Sequence, residues 1–263
     1  MEMSNSFLDS LFSLSGQVAV VIGGTGVLGG ALCEGLAKAG ALTVVAGRSK
    51  ERGEERVAAI QTAGGQAVYN EVDVTSRASL SGLRDHLVAT HKKVDILVNC
   101  AGVNSAVAYE HIPDEDWEKV LQTNLTATHW GCQLFAPQMA SQPDGGSILN
   151  IGSVTSHLPL SRVFAYSASK AAVVNYSKNV AREYATKKVR VNTLCPGFFP
   201  AEQNRKILDP SRVANIMGQT PMNRFGEPDE LIGAMLLLCS RSAGSFITGA
   251  EIYVDGGFTG NRF

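Results

Sequence analysis

"QVAVVIGGTGVLGGALCEGLAKAG", residues Gln17 to Gly40, decides the fold. Val18 to Ile22 is a short apolar run rich in β-branched residues, the pattern of a strand covered on both faces. Gly23, Gly26 and Gly29 follow at three-residue spacing and lead directly into a helical stretch that stops at Gly40. Glycines in this place let the backbone approach a pyrophosphate, and the helix N-terminus adds free N–H donors and the positive end of a dipole. A tight turn built only for helix–strand packing would use the same residues. Position after a first strand and before a helix favours dinucleotide binding.

The same alternation continues outward. "LTVVAG", "AVYNEVD", "VDILVN", "GSILNIG", "VRVNTLCPG" and "AEIYVDGG" read as six further strands, separated by helical stretches such as "SKERGEERVAAIQTAG". Strand–helix alternation implies a parallel sheet with right-handed crossovers. The expected fold is α/β: one doubly wound, seven-stranded parallel sheet with helices on both faces. It is expected as a single domain over 1–263, with an N-terminal arm at 1–14 and a substrate lid at 197–225.

Composition excludes several classes. The 263 residues are 44% hydrophobic, enough for a sizeable core. With 23 basic and 24 acidic residues the net charge is −1, so no basic stripe invites nucleic acid. Cys33, Cys100, Cys132, Cys195 and Cys239 are odd in number and scattered, which fits small buried hydrophobes in a reducing compartment better than a disulfide framework. Glu2 and Asp9 near the start argue against a signal peptide. No apolar run approaches the ~18 residues needed to span a bilayer. The expectation is a soluble, cytoplasmic protein without a membrane or nucleic-acid partner. No metal is expected, because His86 and His91 have no acidic partner in register.

Ligands of such sheets bind beyond the carboxyl ends of the strands. After the second strand come Arg48 and Ser49, with the first acid, Glu51, already placed for the next helix. A guanidinium there suits a 2′-phosphate and an acid would suit free ribose hydroxyls, so NADP(H) is favoured over NAD(H). Ser49 either joins that contact or caps the helix. After the third strand, Asp73 serves an adenine amino group or a turn. After the fourth, Asn99, Ala101 and Gly102 leave room for a flat ring or a sugar against the backbone. After the fifth comes Ser153, 13 residues before Tyr166, a loop long enough to bring the next helix back over the strand end. Tyr166 and Lys170 in "YSASK" lie one helical turn apart. Tyr184 and Lys188 share that spacing but run into the next strand, so they read as structural.

Together, "GGTGVLGG", "NCAG", "TNL" with Asn124, Ser153, "YSASK", "CPG" and "ITGAEIYVDGG" resemble the short-chain dehydrogenase/reductase family over Gln17 to Gly257. The compact, single-domain Rossmann-type members are the ones resembled. "GFFPAEQNR" and "TPMNRFGEPDELIG" resemble the branch that reduces sugar acids, D-mannonate oxidoreductases (fructuronate reductases) and related gluconate enzymes. Two departures stand out: Ile22 replaces the usual threonine, and the glycine spacing is G-x-x-G-x-x-G. The resemblance implies hydride transfer between a nicotinamide and a carbonyl or secondary alcohol. It implies Asn124, Ser153, Tyr166 and Lys170 as the catalytic tetrad. Tyr166 would be the general acid/base with its phenol pKa lowered by Lys170, Ser153 would bond the substrate oxygen, and Asn124 would hold a water beside Lys170. It implies a cofactor site from Gly23, Thr25, Gly26, Val27, Leu28, Gly29, Arg48, Ser49, Asp73, Val74, Asn99, Ala101, Gly102, Tyr166, Lys170, Pro196, Gly197 and Phe199, and a homotetramer packed through helices around 126–140 and 167–183.

The lid sequence is polar, with Glu202, Gln203, Asn204, Arg205 and Lys206, and His157, Ser161 and Arg162 follow the catalytic serine. Amides, hydroxyls and arginines suit a small polyhydroxylated acid. Asn104, Arg162 and Arg205 are the expected substrate contacts, Arg162 because it precedes Tyr166 by one helical turn. Arg224 is expected to hold the turn before the next helix. Reduction of an acyl thioester or another small ketone is the alternative on the same fold. A non-catalytic dinucleotide sensor would lack part of the tetrad.

Overall fold

A computed structural model describes residues 6–199 and 210–260. Every expected strand forms: β1 Val18–Ile22, β2 Leu42–Gly47, β3 Gln66–Glu71, β4 Ile96–Asn99, β5 Gly146–Ile151, β6 Val189–Pro196 and β7 Glu251–Val254. All pair parallel in the order β3-β2-β1-β4-β5-β6-β7. The chain reverses its direction of travel between β1 and β4, and there a crevice opens beyond the strand ends.

The helices are α1 Ser6–Phe12, α2 Val27–Lys38, α3 Lys50–Thr62, α4 Arg77–His91, α5 Asp114–Leu121, α6 Ala127–Ala140, α7 Phe164–Tyr184, α8 Pro210–Gln219 and α9 Ile232–Cys239. The period-two geometry of a strand sends successive side chains to opposite faces. On β1, Val18, Val20 and Ile22 join Leu83 of α4 and Phe135 and Met139 of α6. Ala19 and Val21 join Leu32 and Leu36 of α2 and Met235 of α9 on the other side. Strands buried on both faces explain the unbroken apolar runs. Among the described residues, no helix is long and apolar enough to cross a membrane.

The N-terminal arm packs on the body. Leu14 is fully buried and its N–H donates to the Ala39 carbonyl at 2.8 Å. The polar lid residues 202–206 lie outside the described residues; α8 and the turn that follows represent the rest of the lid. There Arg224 pairs with Glu230 at 2.6 Å and donates to the Phe225 carbonyl, as expected of a turn-holding arginine.

The turn after β1 is compressed. Gly23 has φ +92°, and a methyl on it would stand 2.7 Å from the Ala101 nitrogen. A methyl on Gly29 would collide with the Gly23 carbonyl oxygen. Overpacking of this kind costs about 1–3 kcal/mol. Gly29→Ala is therefore expected to lower the thermal midpoint by ~2–10 °C and to weaken dinucleotide binding, checked by calorimetry and cofactor titration.

Candidate active site

The site assembles where the ends of β1, β4 and β5 meet α7. The residue that caps the start of α2 is Gly26, whose lack of a side chain leaves the first-turn N–H groups without a side-chain cap. Uncapped donors at a helix start form an anion site. Thr25 reaches across to β2, where a methyl on Gly47 would stand 2.5 Å from its hydroxyl oxygen. Val27 is exposed at the groove edge, whereas Leu28 packs partly against the core.

Beyond β2, Arg48 is exposed and Ser49 caps α3 by accepting from the Arg52 N–H at 3.4 Å. Glu51 lies in the first turn of α3. Asp73 binds both the N–H and the hydroxyl of Thr75, at 2.9 and 2.7 Å, through one carboxylate oxygen. These bonds lower its pKa, and the nearby Arg48 charge acts in the same direction. Val74 is buried and offers only backbone to a ligand.

The four tetrad residues converge. Lys170 is 4% exposed, and its ammonium donates to the Ile151 carbonyl at 2.7 Å and sits 5.6 Å from the centre of the Tyr166 ring. Buried Ser153 hydrogen-bonds the Tyr166 phenol and also accepts from the Thr155 hydroxyl at 3.1 Å. Asn124 is fully buried inside a π-helical turn, Gln122–Thr126, wedged between α5 and α6. Such turns often mark functional sites. Its amide oxygen accepts from the Val103 N–H at 2.8 Å, and its amide nitrogen donates to the Val103 carbonyl and the Ser169 hydroxyl, both at 3.0 Å. Ser169 donates onward to the Tyr166 carbonyl at 2.7 Å. One amide thus ties the loop after β4 to α7. Gly102 faces the same space: a methyl on it would stand 3.4 Å from the Asn124 amide oxygen and 3.7 Å from the Lys170 nitrogen.

Electrostatics in this enclosure differ from the sequence expectation. The Tyr166 phenol is pushed above its ordinary value by burial, against the opposing Ser153 hydrogen bond. Lys170 is brought down to about 8, again by burial. Removal from water favours the neutral form of both groups. The expectation of a phenol lowered by Lys170 is not met here: burial outweighs it, and the ammonium is aimed at the Ile151 carbonyl. The thiols of Cys100 and Cys195 also lie close to Tyr166 and Lys170, which sequence reasoning missed. Burial holds them neutral, near about 11 and about 12.

Several expected residues are placed differently. The Asn99 amide turns under the sheet and donates to Asn150 at 2.8 Å, so only its backbone faces the crevice. Phe199 is buried in the core against Gly226, and it too offers backbone only. Pro196 ends β6, and Gly197 is pressed on Asp255, with 2.7 Å from a methyl position to the Asp255 Cα. Arg162 does not lie on α7. It sits in a turn with φ +67° before the helix starts at Phe164, so the one-turn relation to Tyr166 fails. His157 pairs with Glu251 of β7 at 2.7 Å rather than facing the mouth. The amide oxygen of Asn104 is buried with no hydrogen-bond partner among the described residues. Arg205 lies outside them. Beside the site, a cavity of about 410 Å³ opens between Phe198, Met222, Tyr253 and Gly257.

The uncapped α2 start, the glycine crevices and the gap between Gly102, Asn124 and Lys170 fit a dinucleotide with its reactive ring beside Tyr166. The family described as short chain dehydrogenase matches residues 17–211. The chain belongs to the short-chain dehydrogenase/reductase family and is an NAD(P)-dependent oxidoreductase. It is 34% identical to the uncharacterized oxidoreductase UxuB of Bacillus subtilis (strain 168), over 94% of this chain and 96% of that one. It is 32% identical to 5-keto-D-gluconate 5-reductase of Escherichia coli (strain K12), over 95% and 98%. A gluconate 5-dehydrogenase from Burkholderia cenocepacia J2315, solved in complex with NADP and tartrate, superposes with a TM-score of 0.92 at 31% identity, covering 97% of this chain and all of that one.

Tyr166→Phe is expected to lose at least ~10²-fold in turnover while still binding cofactor; Tyr184→Phe, its matched control, leaves turnover intact. Lys170 supplies a second check. Between its folded value of about 8 and its ordinary 10.5, the unfolded chain holds a proton that the folded one lacks. Stability then rises with pH. The thermal midpoint of the wild type should gain on that of Lys170→Met as pH is raised across this window, measured side by side; a constant difference would show that the buried ammonium has its ordinary pKa.

Proposed function

We propose that the protein is an NADP(H)-dependent oxidoreductase acting on the carbonyl or secondary alcohol of a small sugar acid, such as fructuronate/mannonate or a keto-gluconate. The observation that carries the reading is full-length similarity to relatives named for keto-gluconate and gluconate, one solved with NADP and tartrate. Exposed Arg48 beyond β2, with Glu51 withdrawn into α3, supports the phosphorylated cofactor.

When bound, the dinucleotide supplies the hydride. Tyr166 gives its proton to the substrate oxygen in reduction and takes it back in oxidation. Ser153 donates a hydrogen bond to that oxygen as charge builds. Lys170 would hold the nicotinamide ribose, and its ammonium, together with the positive charge of an oxidised nicotinamide, would favour the Tyr166 phenolate. A water beside Gly102 would bridge Lys170 and the Asn124 amide oxygen and return protons to Tyr166. Arg205 holds the substrate carboxylate, with Asn104 contributing to the polar wall; Arg162, whose helical relation to Tyr166 is lost, is not placed with them. Copies associate as a homotetramer through α6 and α7 in a reducing, cytoplasmic setting.

The direct test follows nicotinamide absorbance with fructuronate, 5-keto-gluconate and an acetoacetyl thioester, each with NADPH and NADH. Keto-acid turnover that prefers NADPH is expected. Turnover of the thioester alone would overturn the sugar-acid reading. Arg48→Ala should weaken NADPH binding by ~10-fold or more, the loss of one charge-assisted contact, with little effect on NADH.

A further inference from the structure

The turn that carries Arg48 is held from below by a residue of the neighbouring strand. Tyr69 lies on β3, in register with Val45 of β2, so its side chain reaches the β2 end two residues on. Its hydroxyl donates to the Gly47 carbonyl at 2.8 Å. The Val72 N–H also donates to that carbonyl, at a longer 3.2 Å. The Tyr69 ring is pressed against Gly53 in the first turns of α3, so closely that a methyl on Gly53 would collide with it. Gly53 in turn donates its N–H to the Ser49 carbonyl at 3.0 Å. One side chain therefore fixes both ends of the segment 47–53, and Arg48 lies between the fixed points. Above the same Gly47 sits Thr25 of the glycine turn, at 2.5 Å from the methyl position. Any shift of Gly47 moves Arg48 relative to the pyrophosphate turn.

We propose that Tyr69 is a positioning residue for cofactor choice, holding the β2–α3 turn so that Arg48 meets the 2′-phosphate of the dinucleotide. This rests on the NADP(H) reading above. The residue touches neither substrate nor reacting atoms; it acts through Arg48. Burial, with Glu71 and Glu54 nearby, raises the phenol pKa. The hydroxyl therefore remains a donor throughout an assay range around neutrality.

The test uses the full chain and isothermal titration with NADPH and NADH on four proteins: wild type, Tyr69→Phe, Arg48→Ala and the double variant. Phenylalanine keeps the ring against Gly53, and thermal midpoints check that folding is retained. Loss of one hydrogen bond corresponds to about a 5-fold change in an equilibrium constant. Tyr69→Phe is expected to raise the NADPH dissociation constant by about that factor, and the NADH constant by less than about 2-fold. In the Arg48→Ala background the same change should have no further effect on NADPH, since a residue acting through Arg48 has nothing left to place. Equal weakening of both cofactors, or an undiminished effect without Arg48, would show a merely structural tyrosine and overturn the proposal. No effect of Tyr69→Phe on a wild type that does prefer NADPH overturns the proposal alone. A wild type with no preference, or an Arg48→Ala variant that binds NADPH unchanged, overturns the cofactor reading and the proposal together.

Discussion

The backbone of Gly23 lies against that of Ala101 with no room for a methyl between them, and the site is built outward from that contact. It joins the turn after β1 to the turn after β4, where the helices that follow, α2 and α6, pack on opposite faces of the sheet. Two further close approaches extend the floor: Gly47 against Thr25 on one side, and Gly102 facing Asn124 and Lys170 on the other. At Gly23 and Gly47 the space a side chain would take is filled by Ala101 and Thr25, so these glycines let neighbouring turns close on one another; at Gly102 the space beside Asn124 and Lys170 is left open.

Burial then sets the chemistry. Tyr166 and Lys170 are moved in opposite directions by the same cause, since an enclosure that resists charge raises a phenol and lowers an amine. The Ile151 carbonyl at 2.7 Å gives the ammonium a partner without giving it a counter-charge. Near neutral pH the phenol is therefore held neutral, while the ammonium keeps its proton with less margin than an ordinary lysine. The pKa values of the site respond strongly to any charge that a ligand brings, because little water is left to screen it.

What could be read in advance follows from which forces are local. The strands were legible because burial on both faces leaves a continuous apolar run, and the glycine turn because backbone crowding admits no other residue. Ser153, Tyr166 and Lys170 could be picked out as candidates because they lie just after a strand or one helical turn apart. Partners distant in sequence were not. Asn99 sits at a strand end like a ligand-binding residue, yet its amide finds Asn150 beneath the sheet. Arg162 has nothing about it that announces a left-handed turn, so counting back from Tyr166 put it on a helix that starts only at Phe164. Asn124 was picked out by its motif, but the π-helical turn and the double bond to Val103 depend on packing between α5, α6 and α7. Tyr69 read as one more strand residue, because its importance lies with Gly47 and Gly53, neither of which is its neighbour in sequence.

The second tyrosine–lysine pair shows what spacing alone is worth. Tyr184 and Lys188 stand four residues apart, as Tyr166 and Lys170 do. But α7 runs from the carboxyl end of β5 to the amino end of β6, so its last residues lie at the opposite edge of the sheet from every ligand-facing strand end. Lys188 has left the helix for a left-handed cap, is exposed, and donates to the Pro143 carbonyl at 3.0 Å. An exposed ammonium keeps its hydration, so it projects little field onto a neighbour. Lys170, one sheet-width away on the same helix, has lost that hydration and lies beside a phenol with a hydroxyl of its own to bond. The i, i+4 relation supplies proximity; position on the sheet and removal of water turn proximity into chemistry.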